Sequence, residues 1–127
     1  MDNRTLFNLA EQAREHAYAA YSDFSVGAAV LTKTGEVYLG ANIENSSYGA
    51  TICAERVAVS KAVFEGHREI EAIAIASSDT DSPTFPCGIC RQFIFEFGED
   101  IRIIVGVDED NLKEFLISEL LVNGFRL

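Results

Sequence analysis

Two short stretches carry the residues best suited to chemistry: Cys53-Ala54-Glu55-Arg56 and, further along, Pro86-Cys87-Gly88-Ile89-Cys90. They hold all three cysteines of the chain, an odd count that more often marks metal binding or catalysis than disulfides. Each stretch opens a predicted helix directly after a loop. Cys87 and Cys90 are three residues apart, so on a first helical turn their thiols share a face and can grip one ion. Pro86 fixes the backbone where an amide hydrogen is not needed, and Gly88 lets the chain pass close to the ion. Cys53 adds a third thiolate from a second helix N-terminus. This donor set points to zinc, one ion per chain.

The number of ligands matters. Structural zinc sites are normally closed by four protein ligands, whereas catalytic sites keep one position open for water. The only histidines, His16 and His67, lack ligand spacing to any cysteine and read as surface or boundary residues. The fourth position is therefore expected to be water. Three thiolates leave zinc with a net charge of about −1, which weakens it as a Lewis acid unless something offsets the charge. Two helix N-termini supply about half a positive charge each. Arg56, one turn after Cys53, can fold its guanidinium back onto thiolate sulfur; alternatively it is a surface arginine. Glu55 is either a first-turn glutamate that complements the helix dipole or a carboxylate aimed over the helix end. In the second case it can take a proton from water and deliver it to a substrate. The cysteines beside it favour the second.

The elements that must position these groups follow from hydrophobic periodicity. Leu6, Leu9, Ala10, Ala13 and Ala17 predict an amphipathic helix over Thr5–Tyr18. Strands are predicted at Ser25–Leu31 and Glu36–Gly40 around a Thr32-Lys33-Thr34-Gly35 turn, then a surface loop over Asn42–Ile52 and a helix over Cys53–Glu65 stopped by Gly66. Ile70–Ala76, apolar and β-branched, reads as a buried central strand. Ser77–Pro86 is a loop, Cys87–Phe97 a helix closed by Gly98, and Ile101–Val107 a fourth strand. Asp108–Asn111 is too short for a parallel crossover, so a fifth strand at Leu112–Leu116 should run antiparallel to the fourth. Ser118–Leu121 reads as a helical turn. The expected fold is a single α/β domain over residues 1–127, layered around a five-stranded mixed sheet.

Composition narrows the partners. With 48% apolar and 24% charged residues, the chain matches ordinary globular proteins. No apolar run approaches the roughly 20 residues of a membrane span, and charges at Asp2, Arg4, Glu11, Arg14 and Glu15 break any secretory signal. The expectation is a cytoplasmic protein with no membrane partner. The net charge of −10, with basic residues scattered, weighs against a nucleic-acid partner.

These residues together resemble the cytidine deaminase family, in its small homotetrameric class with three cysteine ligands; the wider zinc deaminase group shares the non-ligand Glu and the Pro-Cys-x-x-Cys element. The resemblance covers essentially the whole chain. It runs through Tyr18-x-x-Tyr21-Ser22-x-Phe24-x-Val26-Gly27-Ala28-Ala29, Gly40-x-Asn42-Ile43-Glu44-Asn45, Cys90-Arg91-Gln92 and Glu119-Leu120-Leu121. It implies a three-layer α-β-α sandwich and zinc-dependent hydrolysis of free cytidine or deoxycytidine to uridine or deoxyuridine plus ammonia, as in pyrimidine salvage. It further implies that Cys53, Cys87 and Cys90 hold the zinc, that Glu55 moves protons and that Arg56 offsets thiolate charge. Asn42 and Glu44 would hydrogen-bond the ribose hydroxyls, Phe24 would pack on the pyrimidine, and the Ala54 amide would meet the pyrimidine carbonyl. Tyr48 and Phe125 would reach sites of neighbouring subunits in the homotetramer. Taken alone, Asn42 and Glu44 could instead cap a loop and Phe24 could belong to the core. The chain departs from the family in having Val122-Asn123-Gly124 where a proline commonly follows the Leu–Leu pair.

Two other readings stand beside this one. A deaminase of the same fold could act on another base, a nucleoside antibiotic or a polynucleotide; the Asn42–Glu44 pair and the short link between the last two strands favour a free nucleoside. A non-catalytic zinc scaffold or nucleoside-binding module would have no use for Glu55.

Overall fold

The structure is a computed structural model that describes residues 1–127. Its strands are β1 (Val26–Thr32), β2 (Val37–Ala41), β3 (Ile70–Ser77), β4 (Arg102–Gly106) and β5 (Leu112–Leu116). They form one mixed sheet in the order β2-β1-β3-β4-β5. Only β3 and β4 are parallel; β5 runs antiparallel to β4, as the short link between them requires.

Helix α1 (Asn3–Ala13) covers one face of the sheet, α2 (Ala54–Phe64) and α3 (Gly88–Phe95) the other, and α4 (Ile117–Leu120) follows β5. The period of two along each strand divides the core accordingly. Ala28, Val30, Ile73, Ile75, Ile103 and Val105 pack toward α2 and α3. Ala29, Leu31, Ala72, Ala74, Ala76 and Ile104 pack toward Leu6, Phe7 and Ala10 of α1. Each fully buried isoleucine contributes roughly 1.5–3 kcal/mol through removal of apolar surface from water. The α-β-α layering expected from the sequence is present.

Close backbone approach places the helix that follows Cys53. A β-carbon at Gly40 would lie 2.5 Å from both the Ala54 carbonyl oxygen and the Ala58 amide nitrogen, so the first turn of α2 rests directly on β2. Gly40→Ala is expected to lower Tm by roughly 5–15 °C, because overpacking of this kind costs about 1–3 kcal/mol. Thermal unfolding checks this; an unchanged Tm would mean that α2 can shift away freely.

Two expectations need correction. The first helix ends at Ala13, not Tyr18, and passes through a 3₁₀ turn at Arg14–His16. The cause is a non-local pairing: the Tyr18 amide donates to Asn42 O (2.8 Å) and the Glu44 amide donates to Tyr18 O (2.9 Å), which a continued helix could not allow. The surface loop expected over Asn42–Ile52 is present and largely exposed, but it is tied at its base. Ile43 and Ile52 exchange both backbone hydrogen bonds (2.9 and 3.0 Å), closing the segment into a tied excursion that returns the chain to Cys53. The helix predicted to reach Phe97 ends at Phe95, after which the Phe97 amide bonds Ile94 O in a tighter turn before Gly98.

Candidate active site

The first turns of α2 and α3 converge. Cys53 and Cys87 are the N-cap residues of these helices, and Cys90 lies in the first turn of α3. In an α-helix the first-turn amides have no intrahelical acceptor, and neither cap side chain bonds one of them. The positive ends of both helices therefore face the sulfurs.

The three Sγ atoms lie within 4.8 Å of one another, and Cys53 Sγ is 3.7 Å from Cys87 Sγ. Two sulfurs bound tetrahedrally to one zinc at about 2.3 Å are about 3.8 Å apart, so the donors fit this ion. Electrostatics agree. The neighbouring Cys90 thiol, and then Arg56, draw Cys53 down to about 5. The adjacent Cys53 sulfur, together with burial, pushes Cys90 up. A divalent ion is what allows all three sulfurs to be thiolates together. His16 and His67 take no part in the group, and His67 Nδ1 lies 3.6 Å from Glu36 instead.

Arg56 sits where its spacing placed it. Its Nη2 donates to Cys53 Sγ (3.6 Å) and to the Thr51 carbonyl (3.2 Å), which aims the guanidinium at the sulfur. Its Nε is buried without a partner. Arg56→Ala is expected to retain zinc while kcat falls roughly 10- to 100-fold, the scale of one charge-assisted hydrogen bond. Steady-state kinetics with metal analysis test this, and unchanged turnover would place the charge compensation elsewhere.

Glu55 is only 4% exposed. Burial pushes its carboxyl up to about 7, and the negative charge of Cys53 adds to the shift. An acid meant only to complement the helix dipole would sit ionised in solvent, and this one is buried beside the three-cysteine cluster. A group poised near neutral pH can both accept and return a proton. Ala54, the first residue of α2, is fully buried, and its amide is one of the first-turn donors.

Asn42 and Glu44 do cap a loop. Asn42 Oδ1 accepts from the Val26 amide and its Nδ2 donates to Phe24 O, both at 2.9 Å. Glu44 Oε1 accepts from the amides of Tyr21 (2.8 Å) and Ser22 (3.0 Å), and Oε2 accepts from the Ser22 hydroxyl. These bonds hold Glu44 ionised, its carboxyl drawn below the usual range chiefly by the Ser22 hydroxyl. Capacity remains: a carboxylate has about four acceptor positions, and a carboxamide two N–H donors and two lone pairs. Glu44 can accept one more hydrogen bond, and Asn42 can donate one and accept one. Beside Glu44 a pocket of about 370 Å³ is lined by Tyr21, Ser22, Tyr48 and Thr51 as well.

Phe24 is 38% exposed, so it is a rim residue and not part of the core. The rings of Tyr48 and Phe125 project further, at 76% and 66% exposure. Tyr48 meets Tyr21 edge-on at 5.8 Å, while Phe125 is anchored by its backbone, its carbonyl accepting from Gln92 Nε2 (3.1 Å). Sequence reasoning assigned no role to Arg91. Its Nε donates to Pro86 O (2.7 Å) and its Nη1 to Leu120 O (2.8 Å), so it braces the turn before Cys87 against α4. The signals were its place four residues after Cys87 and its position in the Cys90-Arg91-Gln92 stretch of the resemblance.

Residues 1–107 match the family model for the cytidine and deoxycytidylate deaminase zinc-binding region. The chain belongs to the cytidine and deoxycytidylate deaminase family. That family's region is zinc-binding, and the three-sulfur group is placed to hold such an ion. Within the deaminase family, the chain is 49% identical over 126 residues to the cytidine deaminase of Halalkalibacterium halodurans, spanning 98% of this chain and 95% of that protein. It matches the crystal structure of cytidine deaminase from Burkholderia pseudomallei with a TM-score of 0.93 and 39% identity, over 98% of this chain and 100% of that one. It is also 32% identical over 122 residues to the blasticidin-S deaminase of Bacillus cereus, spanning 89% of this chain and 86% of that protein.

Proposed function

We propose that the protein is a zinc-dependent hydrolase of free cytidine and deoxycytidine, converting them with water to uridine or deoxyuridine and ammonia. The observation that carries this reading is a buried Glu55 directly beside three sulfurs that fit one zinc, with a sugar-compatible carboxylate at the neighbouring loop. With zinc bound, the centre supplies a Lewis acid that makes water nucleophilic near neutral pH. Glu55 takes one proton from the attacking water and delivers it to the pyrimidine ring nitrogen, where it stays; it then takes the second proton from the hydroxyl added at the ring carbon and delivers it to the amine, so that ammonia departs as the carbonyl forms. The Ala54 amide donates to the pyrimidine carbonyl, and Phe24 packs on the ring to hold it in line.

The remaining capacity of Glu44 and Asn42 matches one sugar hydroxyl, which can donate to the carboxylate and accept from the carboxamide at once. That carboxylate, held ionised, repels a nucleotide phosphate placed near it. Tyr48 and Phe125 are assigned to neighbouring sites of a homotetramer. Their exposure supports this, as does an apolar groove along α3 lined by Ile89, Phe93 and Phe97. No helix is long and apolar enough to cross a membrane. Three free thiols favour a reducing, cytoplasmic compartment, where salvage of pyrimidine nucleosides is the reading that fits.

A second reading, deamination of a nucleoside antibiotic, is favoured by the likeness to the blasticidin-S deaminase. A panel of cytidine, deoxycytidine, deoxycytidylate, blasticidin S and single-stranded DNA separates the possibilities. The two nucleosides are expected to have the highest kcat/KM, with deoxycytidylate and DNA lower by at least roughly 100-fold. Preference for blasticidin S or the nucleotide would overturn the assignment.

A further inference from the structure

We propose that Ser22 is a positioning residue whose hydroxyl ties recognition of the sugar to placement of the ring over the base. Glu44 is assigned above to the sugar and Phe24 to the base, and one side chain touches both. Ser22 Oγ donates to Glu44 Oε2 and accepts from the Phe24 amide at 3.0 Å. The Phe24 residue is then gripped at both backbone polar groups: its N–H by Ser22 and, as described, its C=O by Asn42. Between Ser22 and Phe24, Asp23 sits at φ 57°, in the left-handed region that non-glycine residues seldom occupy. The turn that aims the Phe24 ring is thus held by the two bonds to its backbone and by Glu44, which accepts from both the amide and the hydroxyl of Ser22.

A sugar hydroxyl that takes the last acceptor position of Glu44 lands on a carboxylate already bonded to Ser22. Hydrogen bonds in such a chain polarise and fix one another. Ser22 thus sets the Glu44 carboxylate for the sugar hydroxyl and the Phe24 ring for the base at once, so losing its hydroxyl costs most on a substrate that carries the sugar hydroxyl. This relay rests on the proposed roles of Glu44 and Phe24 in nucleoside binding.

The test compares deoxycytidine with 2′,3′-dideoxycytidine, which lacks the 3′-hydroxyl, in the zinc-loaded protein. Ser22→Ala is expected to raise KM for deoxycytidine about tenfold with kcat within about twofold, but KM for dideoxycytidine no more than about threefold. Ser22→Thr keeps the hydroxyl and is expected to stay near the parent on both substrates. Ser22 lies on an exposed loop, and unchanged zinc content and Tm verify the fold; Ser22→Gly serves as a second hydroxyl-free variant. A purely structural serine would give equal KM penalties on the two substrates, and that result overturns the relay. So does a Ser22→Thr protein as impaired as Ser22→Ala. Glu44→Gln on the same pair tests the underlying reading alone. If the parent enzyme and Glu44→Gln treat both substrates alike, the sugar assignment fails and the relay with it. If they differ while Ser22→Ala shows equal penalties, only the relay fails.

Discussion

Glu55→Gln is expected to bind one zinc per chain and to deaminate at least roughly 10²–10⁴-fold more slowly than the parent. The amide is nearly the size of the carboxylate, so the packing that leaves Glu55 only 4% exposed survives the change. What is lost is the ability to take up and return a proton. The three cysteines are untouched, and removal of a neighbouring negative charge does not weaken their thiolates. The measurement is steady-state turnover beside metal analysis of the same preparation. Activity within about threefold of the parent, by the ordinary free-energy reading of mutant kinetics, would remove Glu55 from the chemistry. A variant that loses its zinc would instead assign Glu55 to the metal.

Cys90→Ala is expected to lose both metal and activity. Cys90 is fully buried and its sulfur completes the cluster from the first turn of α3. Losing an outer partner of a metal ligand already costs roughly 10–100-fold in affinity, and losing the ligand itself costs more. Zinc affinity should thus fall by more than about 100-fold, with turnover falling in proportion to the metal lost. The fold should remain, because the two apolar clusters that sandwich the sheet include none of the three cysteines. Its Tm should nevertheless drop, since an ion that binds only the folded chain stabilises it by mass action. Retained zinc in Cys90→Ala, measured by competition with a chromogenic chelator, would show that other groups hold the ion.

The centre was legible because its information is local. Cys53, Cys87 and Cys90 each stand at or near a helix start that short-range periodicity reveals, and thiolates in that pattern have few other uses. Glu55 and Arg56 followed from their offsets to Cys53. The strands were legible for the same reason: β3 is almost entirely buried, as a nearly continuous apolar run with isoleucines should be. What could not be read were pairings between distant residues. Tyr18 leaves the helical pattern because its amide and carbonyl are claimed by Asn42 and Glu44, and nothing near Tyr18 encodes that. Closure of the 42–52 segment depends on Ile43 meeting Ile52. Arg91 is similar, since Leu120, one of the two carbonyls it holds, lies far away in sequence. The loop-capping bonds of Asn42 and Glu44 show a further limit. Sequence weighed capping against substrate binding as alternatives, whereas a carboxylate and a carboxamide have enough lone pairs and protons to do both.

X-ray absorption at the zinc edge, on protein purified with its own metal, examines the centre most directly. The expected spectrum has one zinc per chain with three sulfurs at about 2.3 Å and one lighter oxygen neighbour. A shell closed by four protein donors, or a fully active protein that contains no metal, would contradict the roles of Cys53, Cys87 and Cys90 as ligands and of Glu55 as the proton carrier beside them.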